Sequence, residues 1–201
     1  MLDKLYRWWV LLALAGCGQS GGPVGQEQGG LVVLAAPRLA GALAQAPARD
    51  GPEPLLSFEV PHQQLSQNAP EGLQEELQRA VERLAGIEVR PTPFSLEGAR
   101  GWFLADSLAL GPADAFIEAG EFGHLHVPED GSMHMLLPKD LARLVRDKRW
   151  GIRHPLSAAI AGDASDYMMV FGPRNLDELP TVWLIVQASY AFARGQLTGD
   201  L

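Results

Sequence analysis

The chain has one cysteine in 201 residues. That excludes a disulfide framework and every zinc site built on thiolates. It has no excess of positive charge: 16 Lys and Arg stand against 24 Asp and Glu, a formal net charge of −8, which argues against a nucleic-acid partner. No apolar run reaches the roughly 20 residues that a membrane-spanning helix needs. Neither a cysteine nor a G-x-S-x-G elbow lies near the histidines, so nucleophilic hydrolysis is not indicated. What is present is an ordinary folding composition, 47% hydrophobic and 20% charged, which rules out both a disordered chain and a polytopic membrane protein.

Residues 1–17 read as an address. Lys4 and Arg7 form a basic start, Trp8 to Ala15 form a short apolar run, and Leu14-Ala15-Gly16-Cys17 closes it. Small residues before a cysteine suit a signal peptidase, and the thiol can carry a diacylglycerol. The pattern resembles the bacterial lipoprotein signal and its lipobox. It implies a membrane partner through lipidated Cys17, because two or three acyl chains anchor firmly. Gly18, rather than an Asp, follows the cysteine. The resemblance therefore implies the bacterial cell envelope, at the outer membrane facing the periplasm.

Residues 18–54 hold eight Gly and five Pro and are expected to be a tether. Within it Leu31 to Ala46 is apolar, either a loose helix broken near Pro37 or a sticky linker. The folded domain is placed at 55–201. PLLSFEVP reads as a strand or an extended lead-in. Pro70 to Gly86 reads as a helix with Leu73, Leu77, Val81 and Leu84 on one face. Short strands follow at 87–90 and 101–107, then a hairpin of 121–126 and 132–137 around VPEDG. A helix from Pro138 to about Lys148, a strand at 167–171 and a helix at 177–193 complete the chain. Asp177 is the expected N-cap of the last helix, with Pro180 in its first turn. This order predicts an α+β fold: a small antiparallel sheet with helices mainly on one face, in a single domain.

Four of the five histidines lie between positions 124 and 154. His124 and His126 are two apart on a strand and share a face. A five-residue loop over 127–131 pairs His124 with His134 and His126 with Ser132, which puts all three imidazoles on one side of the sheet. A one-residue slip would move His134 to the other face. His154 follows in the segment WGIRHPL, where Gly151 allows a bend and Pro155 keeps His154 extended. Arg153 beside it is suited to binding a carboxylate, enolate or phosphate.

Three readings of this cluster stay open. The histidines bind iron, copper or zinc, although Glu129 in the turn and His134 only eight residues beyond His126 fit the cupin spacing poorly. They line a substrate pocket, where a histidine takes a proton from an acidic hydroxyl or stabilises an anion. Or they fill a polar core. The residues alone give no cofactor and no metal.

Five segments, EFGHLH, SMHMLLP, DKRWGIRHPLSAA, VFGPRNLDEL and ASYAFARG, follow one another between Glu121 and Gly195. In order and spacing they resemble the luciferase-domain family named after the fungal bioluminescence enzymes. The resemblance implies oxidation of a small hydroxylated pyrone, 3-hydroxyhispidin, by O₂, with loss of CO₂ and light, and with neither a flavin nor a required metal. It carries His124, His126, His134, Arg153 and His154 over as the catalytic-motif positions. Two functions follow. One is an envelope-anchored luciferase-like domain that binds or oxidises a small aromatic or enolisable molecule by cofactor-independent oxygenase chemistry. The other is a non-enzymatic envelope binding or scaffold lipoprotein. An open pocket lined by at least three of the named side chains favours the first, and a closed, filled cavity the second.

Overall fold

The computed structural model describes residues 31–197. Cys17, the leader at 1–17 and the first part of the expected tether lie outside the described residues. In chain order the elements are α1 (Ala36–Gln45), α2 (Glu71–Glu82), β1 (Ile87–Pro91), β2 (Arg100–Leu104), β3 (Glu121–Leu125), β4 (Met133–Pro138), α3 (Lys139–Asp147), β5 (Gly151–Arg153), α4 (Ser157–Ile160), β6 (Ser165–Val170) and α5 (Leu179–Ala193). The six strands form one antiparallel sheet in the order β1-β2-β3-β4-β6-β5. With the helices this is the α+β class expected.

Side chains alternate across each strand, so the sheet has two distinct faces. Trp102, Leu125, Met133, Met135, Leu137, Met168 and Val170 point to one of them and join the helices in a continuous apolar core. α2 contributes Leu73, Leu77 and Val81 to that core, as its periodicity predicts. Trp102 is fully buried there, and its indole N–H donates to Gln78 Oε1 at 3.0 Å.

α5 differs from its expectation of a single apolar stripe. Thirteen of its fifteen residues are buried. The reason lies in residues 31–46, which composition assigns to the tether and which instead cover the far side of this helix. Leu39 and Leu43 of α1 are buried in the core. The Leu34 N–H donates to Gln187 Oε1 (2.7 Å), and the Trp183 indole donates to the Val32 carbonyl (2.9 Å). Pro37 does not break α1. It sits in the first turn, where a missing N–H costs nothing. Residues 46–51 are tied in as well: the Trp150 indole donates to the Pro47 carbonyl at 2.8 Å, and Arg149 donates to the carbonyls of Arg49 and Gly51.

Two local details depart from the sequence reading. α5 starts at Leu179 with Pro180 in its first turn, and Asn175, not Asp177, serves its entry: Oδ1 accepts the N–H groups of Asp177 and Glu178. Gly151 is not the bend. Arg149 turns the chain with φ of 61°. Gly151 begins edge strand β5, and a Cβ there would run into the Met169 carbonyl.

Candidate functional site

The second face of the sheet carries the polar chemistry. His124 pairs directly with His134, and the His126 N–H donates to the Ser132 carbonyl at 2.9 Å. This is the register set by the five-residue loop, and His124, His126 and His134 share one face. His134 also pairs with Met169, which puts Tyr167, two residues along β6, on the same side. β5 runs into His154, whose N–H donates to the Tyr167 carbonyl at 2.8 Å.

The cover of this face comes from residues 54–66. PLLSFEVP, at 54–61, reads as a strand or extended lead-in; with the residues after it, it forms a hairpin-like flap outside the sheet, closed by Leu65 N–H to the Leu55 carbonyl and Ser57 N–H to the Gln63 carbonyl. Gln64 pins it down: its N–H donates to Asp130 Oδ2 (3.1 Å), and its Oε1 accepts the Gly172 N–H (3.1 Å). The flap delivers His62, the one histidine the motif reading did not use. It is 1% exposed. All five histidines of the chain therefore meet. Ring centroids are 5.9 Å apart for His62–His134, 4.9 Å for His62–His154, 4.5 Å for His134–His154 and 4.5 Å for His126–His134. His62 has no regular element around it, so no periodicity marks it.

The partners assign the protons. Glu121 is fully buried; its Oε2 accepts the Thr92 hydroxyl (2.9 Å) and its Oε1 lies 2.7 Å from His124 Nδ1. A carboxylate oxygen accepts, so Nδ1 of His124 carries hydrogen and Nε2 carries the lone pair. That Nε2 is 3.2 Å from His134 Nδ1. His126 Nδ1 faces Asp130 Oδ2 (3.4 Å) and the Ser132 hydroxyl (3.2 Å), which leaves its Nε2 lone pair facing inward. His154 Nδ1 accepts the Leu156 N–H (3.0 Å), so hydrogen sits on its Nε2. Both nitrogens of His62, and Nε2 of His126 and of His134, are buried with no protein partner.

Burial disfavours the imidazolium and sets the electrostatics. It holds His62 and His124 below the usual histidine value, the latter against the opposing pull of Glu121. His134 is pushed well below it by burial and by the surrounding imidazoles. His154 falls to about 3, again chiefly through burial. Burial raises the Tyr167 phenol. Burial alone would raise Asp130 too, but hydrogen bonds from His126 and Ser132 outweigh it and the carboxyl falls.

A pocket of about 330 Å³ opens beside the cluster. His62, His134, His154 and Tyr167 line it, with walls that include Val60, Phe94, Leu156 and Ile160. Of the five motif positions, His134 and His154 reach this pocket, and His62 supplies the third imidazole. His124 and His126 lie deeper. Arg153 is on the other side of the sheet. It pairs with Met168, whose side chain belongs to the helix-covered core, and its Nε is 2.9 Å from Asp166 Oδ1. A bend at Gly151 would let Arg153 and His154 serve one site; as a strand, β5 sends these neighbouring side chains to opposite faces. Arg146 holds the same carboxylate at 2.7 Å. Arg153 is half-exposed, so Arg153→Ala is expected to lower stability by less than about 1 kcal/mol, read as a melting temperature within a few degrees of the parent.

Two groups of three side chains bring ring nitrogens within 4.8 Å of one another: His124, His126 and His134, and His62, His134 and His154. Every candidate donor in both groups is an imidazole, a ligand type of transition metals rather than of hard cations. Among the described residues no helix is long and apolar enough to cross a membrane.

Comparison with known proteins gives a consistent result. The chain is similar to a protein named luciferase from Armillaria mellea, at 29% identity over 191 residues, covering 87% of this chain and 70% of that one. It is similar to the luciferase of Armillaria gallica at 28% (87% and 70%) and to that of Neonothopanus nambi at 25% (88% and 72%). The likeness thus extends well outside the stretch 121–195 that carries the motifs. No solved structure matches the chain. Residues 119–189, which hold β3, β4, β5 and β6 and most of α5, match the family model described as the luciferase domain, which identifies a luciferase domain in this part of the chain.

Proposed function

We propose that the domain binds a small aromatic or enolisable molecule in the pocket beneath the 54–66 flap and catalyses its oxidation by O₂. The observation that carries this reading is the pocket floor: the imidazoles of His62, His134 and His154, all held neutral near pH 7, under walls that are largely apolar. His62 has both ring nitrogens free and takes the proton of the substrate hydroxyl. The imidazolium and the new enolate then form an ion pair, which a water-poor site strengthens. The Nε2–H of His154 donates to the enolate oxygen. The enolate carbon gives an electron pair to O₂, a C–O bond forms, and the peroxide oxygen takes back the proton from His62. The net change is addition of O₂ to the substrate. The relatives named luciferase support this reaction class.

The order of basic residues, apolar run, small residues and cysteine in residues 1–17 supports a second part of the proposal, that the domain is held at a bacterial envelope by acylation of Cys17.

The test is oxygen consumption by the full chain with a panel of 3-hydroxy-2-pyrones, paired with thermal shift. Substrate-dependent uptake and a concentration-dependent rise in melting temperature are expected. Ile160→Trp, which fills the pocket, should reduce both at least 10-fold. Absence of uptake and of any shift across the panel would overturn the reading.

A further inference from the structure

We propose that the buried trio His124, His126 and His134 is a binding site for one divalent first-row transition ion, of the zinc or cobalt type. The inference goes beyond the oxygenase reading and does not depend on it.

Three observations converge on this trio. The first is spacing. One ring nitrogen from each residue lies within 4.8 Å of the others, and His124 Nε2 is 3.2 Å from His134 Nδ1. Imidazole nitrogens bound at roughly 2.0–2.1 Å from a tetrahedral ion are roughly 3.3 Å apart. Two of the three nitrogens thus already stand at the edge length of such a site. The third, His126 Nε2, has no protein partner to give up in closing on it.

The second is the shell behind the rings. Glu121 holds His124 at Nδ1, and Asp130 holds His126 at Nδ1. Each carboxylate fixes the tautomer whose Nε2 lone pair points inward, the outer-shell arrangement that orients metal-bound histidines. Both acids are themselves held, Glu121 by Thr92 and Asp130 by the N–H groups of Gln64 and Ser132. Two buried carboxylates also balance the charge of a divalent ion in a place where an unpaired cation would be costly.

The third is the contrast with the outer trio. The Leu156 N–H on His154 Nδ1 fixes hydrogen on its Nε2, which offers no lone pair. His134 instead donates its Nδ1–H to His124 Nε2 and has an unpartnered Nε2, so its proton can pass to Nε2 and free Nδ1 for an ion. His62, His134 and His154 are therefore suited to meet a substrate, and the deeper trio to hold an ion. His134 belongs to both. Ligation through its Nδ1 leaves an Nε2–H at the pocket floor, a second donor for an oxyanion beside His154. Three nitrogen ligands leave the ion at least one open position.

The test uses the full chain, stripped with a chelator and titrated with Co²⁺ alone. One equivalent is expected to give saturable visible absorption, displaced by Zn²⁺. His126→Ala, whose side chain does not line the pocket, should weaken Co²⁺ binding at least 100-fold, and Asp130→Asn by 10- to 100-fold, the range for outer-shell partners. Circular dichroism of each variant establishes that the fold persists, and His124→Gln replaces any variant that does not fold. No saturable band in the parent chain overturns the proposal. So does equal affinity in the parent and the folded variants, or loss of binding only in His154→Ala, which would move the ion to the outer trio. Oxygen consumption measured on the same samples reports separately on the oxygenase reading.

Discussion

His62→Ala is expected to lower oxygen uptake by at least 100-fold while shifting the melting temperature by only a few degrees. The loss follows from the role of the ring: a positioned general base contributes about 10²- to 10⁴-fold, and His62 is the pocket imidazole with both nitrogens free. The small thermal effect follows from the same fact. Removing a buried polar ring that makes no hydrogen bond forfeits some packing but leaves no partner stranded. Activity and stability should therefore separate in this variant. His124→Ala should not separate them, because it strands the fully buried Glu121. The check is an oxygen electrode and a thermal melt on the same preparation, with exogenous imidazole added to seek partial rescue. An uptake rate within twofold of the parent would reduce the 54–66 flap to a mere cover.

Acid is expected to unfold the ion-free domain sharply, at a pH where an ordinary acidic domain still stands. His62, His124, His134 and His154 all have folded-state values below the usual 6.5. A histidine of this kind binds fewer protons when folded than when unfolded, so stability rises with pH. Its contribution is fully present above about 6.5 and drains away as the unfolded chain takes up protons, down to the folded-state value, about 3 for His154. By pH 5 His154 alone costs up to roughly 2 kcal/mol. That is a large share of the stability of a typical domain, about 5–15 kcal/mol, and the other three add in the same direction. Glu121 and Asp130 face these rings and temper the effect, since each attracts a charged imidazole. The measurement is circular dichroism against pH. A fold that stays cooperative and stable down to pH 4 would contradict the balance of burial over attraction. His154→Phe should move the acid midpoint downward, because it deletes one of the protonation sites.

Much of this site is legible in the sequence, and the reason is parity. A five-residue loop and a period of two are enough to fix the His124–His134 pair, because any slip would turn a buried imidazole onto the apolar core. α2 is equally plain, since its polar and apolar residues separate at helical spacing. α5 is legible as a helix but not in its depth. Its leucines, valines and aromatics run nearly all the way round, which marks a helix covered on both sides, and the cover is α1. α1 itself is obscured by Pro37, which reads as a breaker in the middle of an apolar run and acts as a helix starter at its end. Arg153 fails by a single step of the same parity that made the hairpin readable: Gly151 reads as a bend, and a three-residue strand sends Arg153 and its neighbour His154 to opposite faces. His62 carries no local signal at all. Its place depends on Gln64 meeting Asp130 and Gly172, contacts of 66 and 108 residues' separation that no window along the chain can contain.

The two-faced sheet has one more consequence, for how the protein can change over generations. On β4 the methionines at 133 and 135 answer to the oily interior, and the histidine between them faces the pocket. Consecutive codons thus serve different masters. A drift in the lipophilic residues would trade fold robustness without touching reactivity, and a new specificity could arise at the alternate positions with the scaffold left as it was.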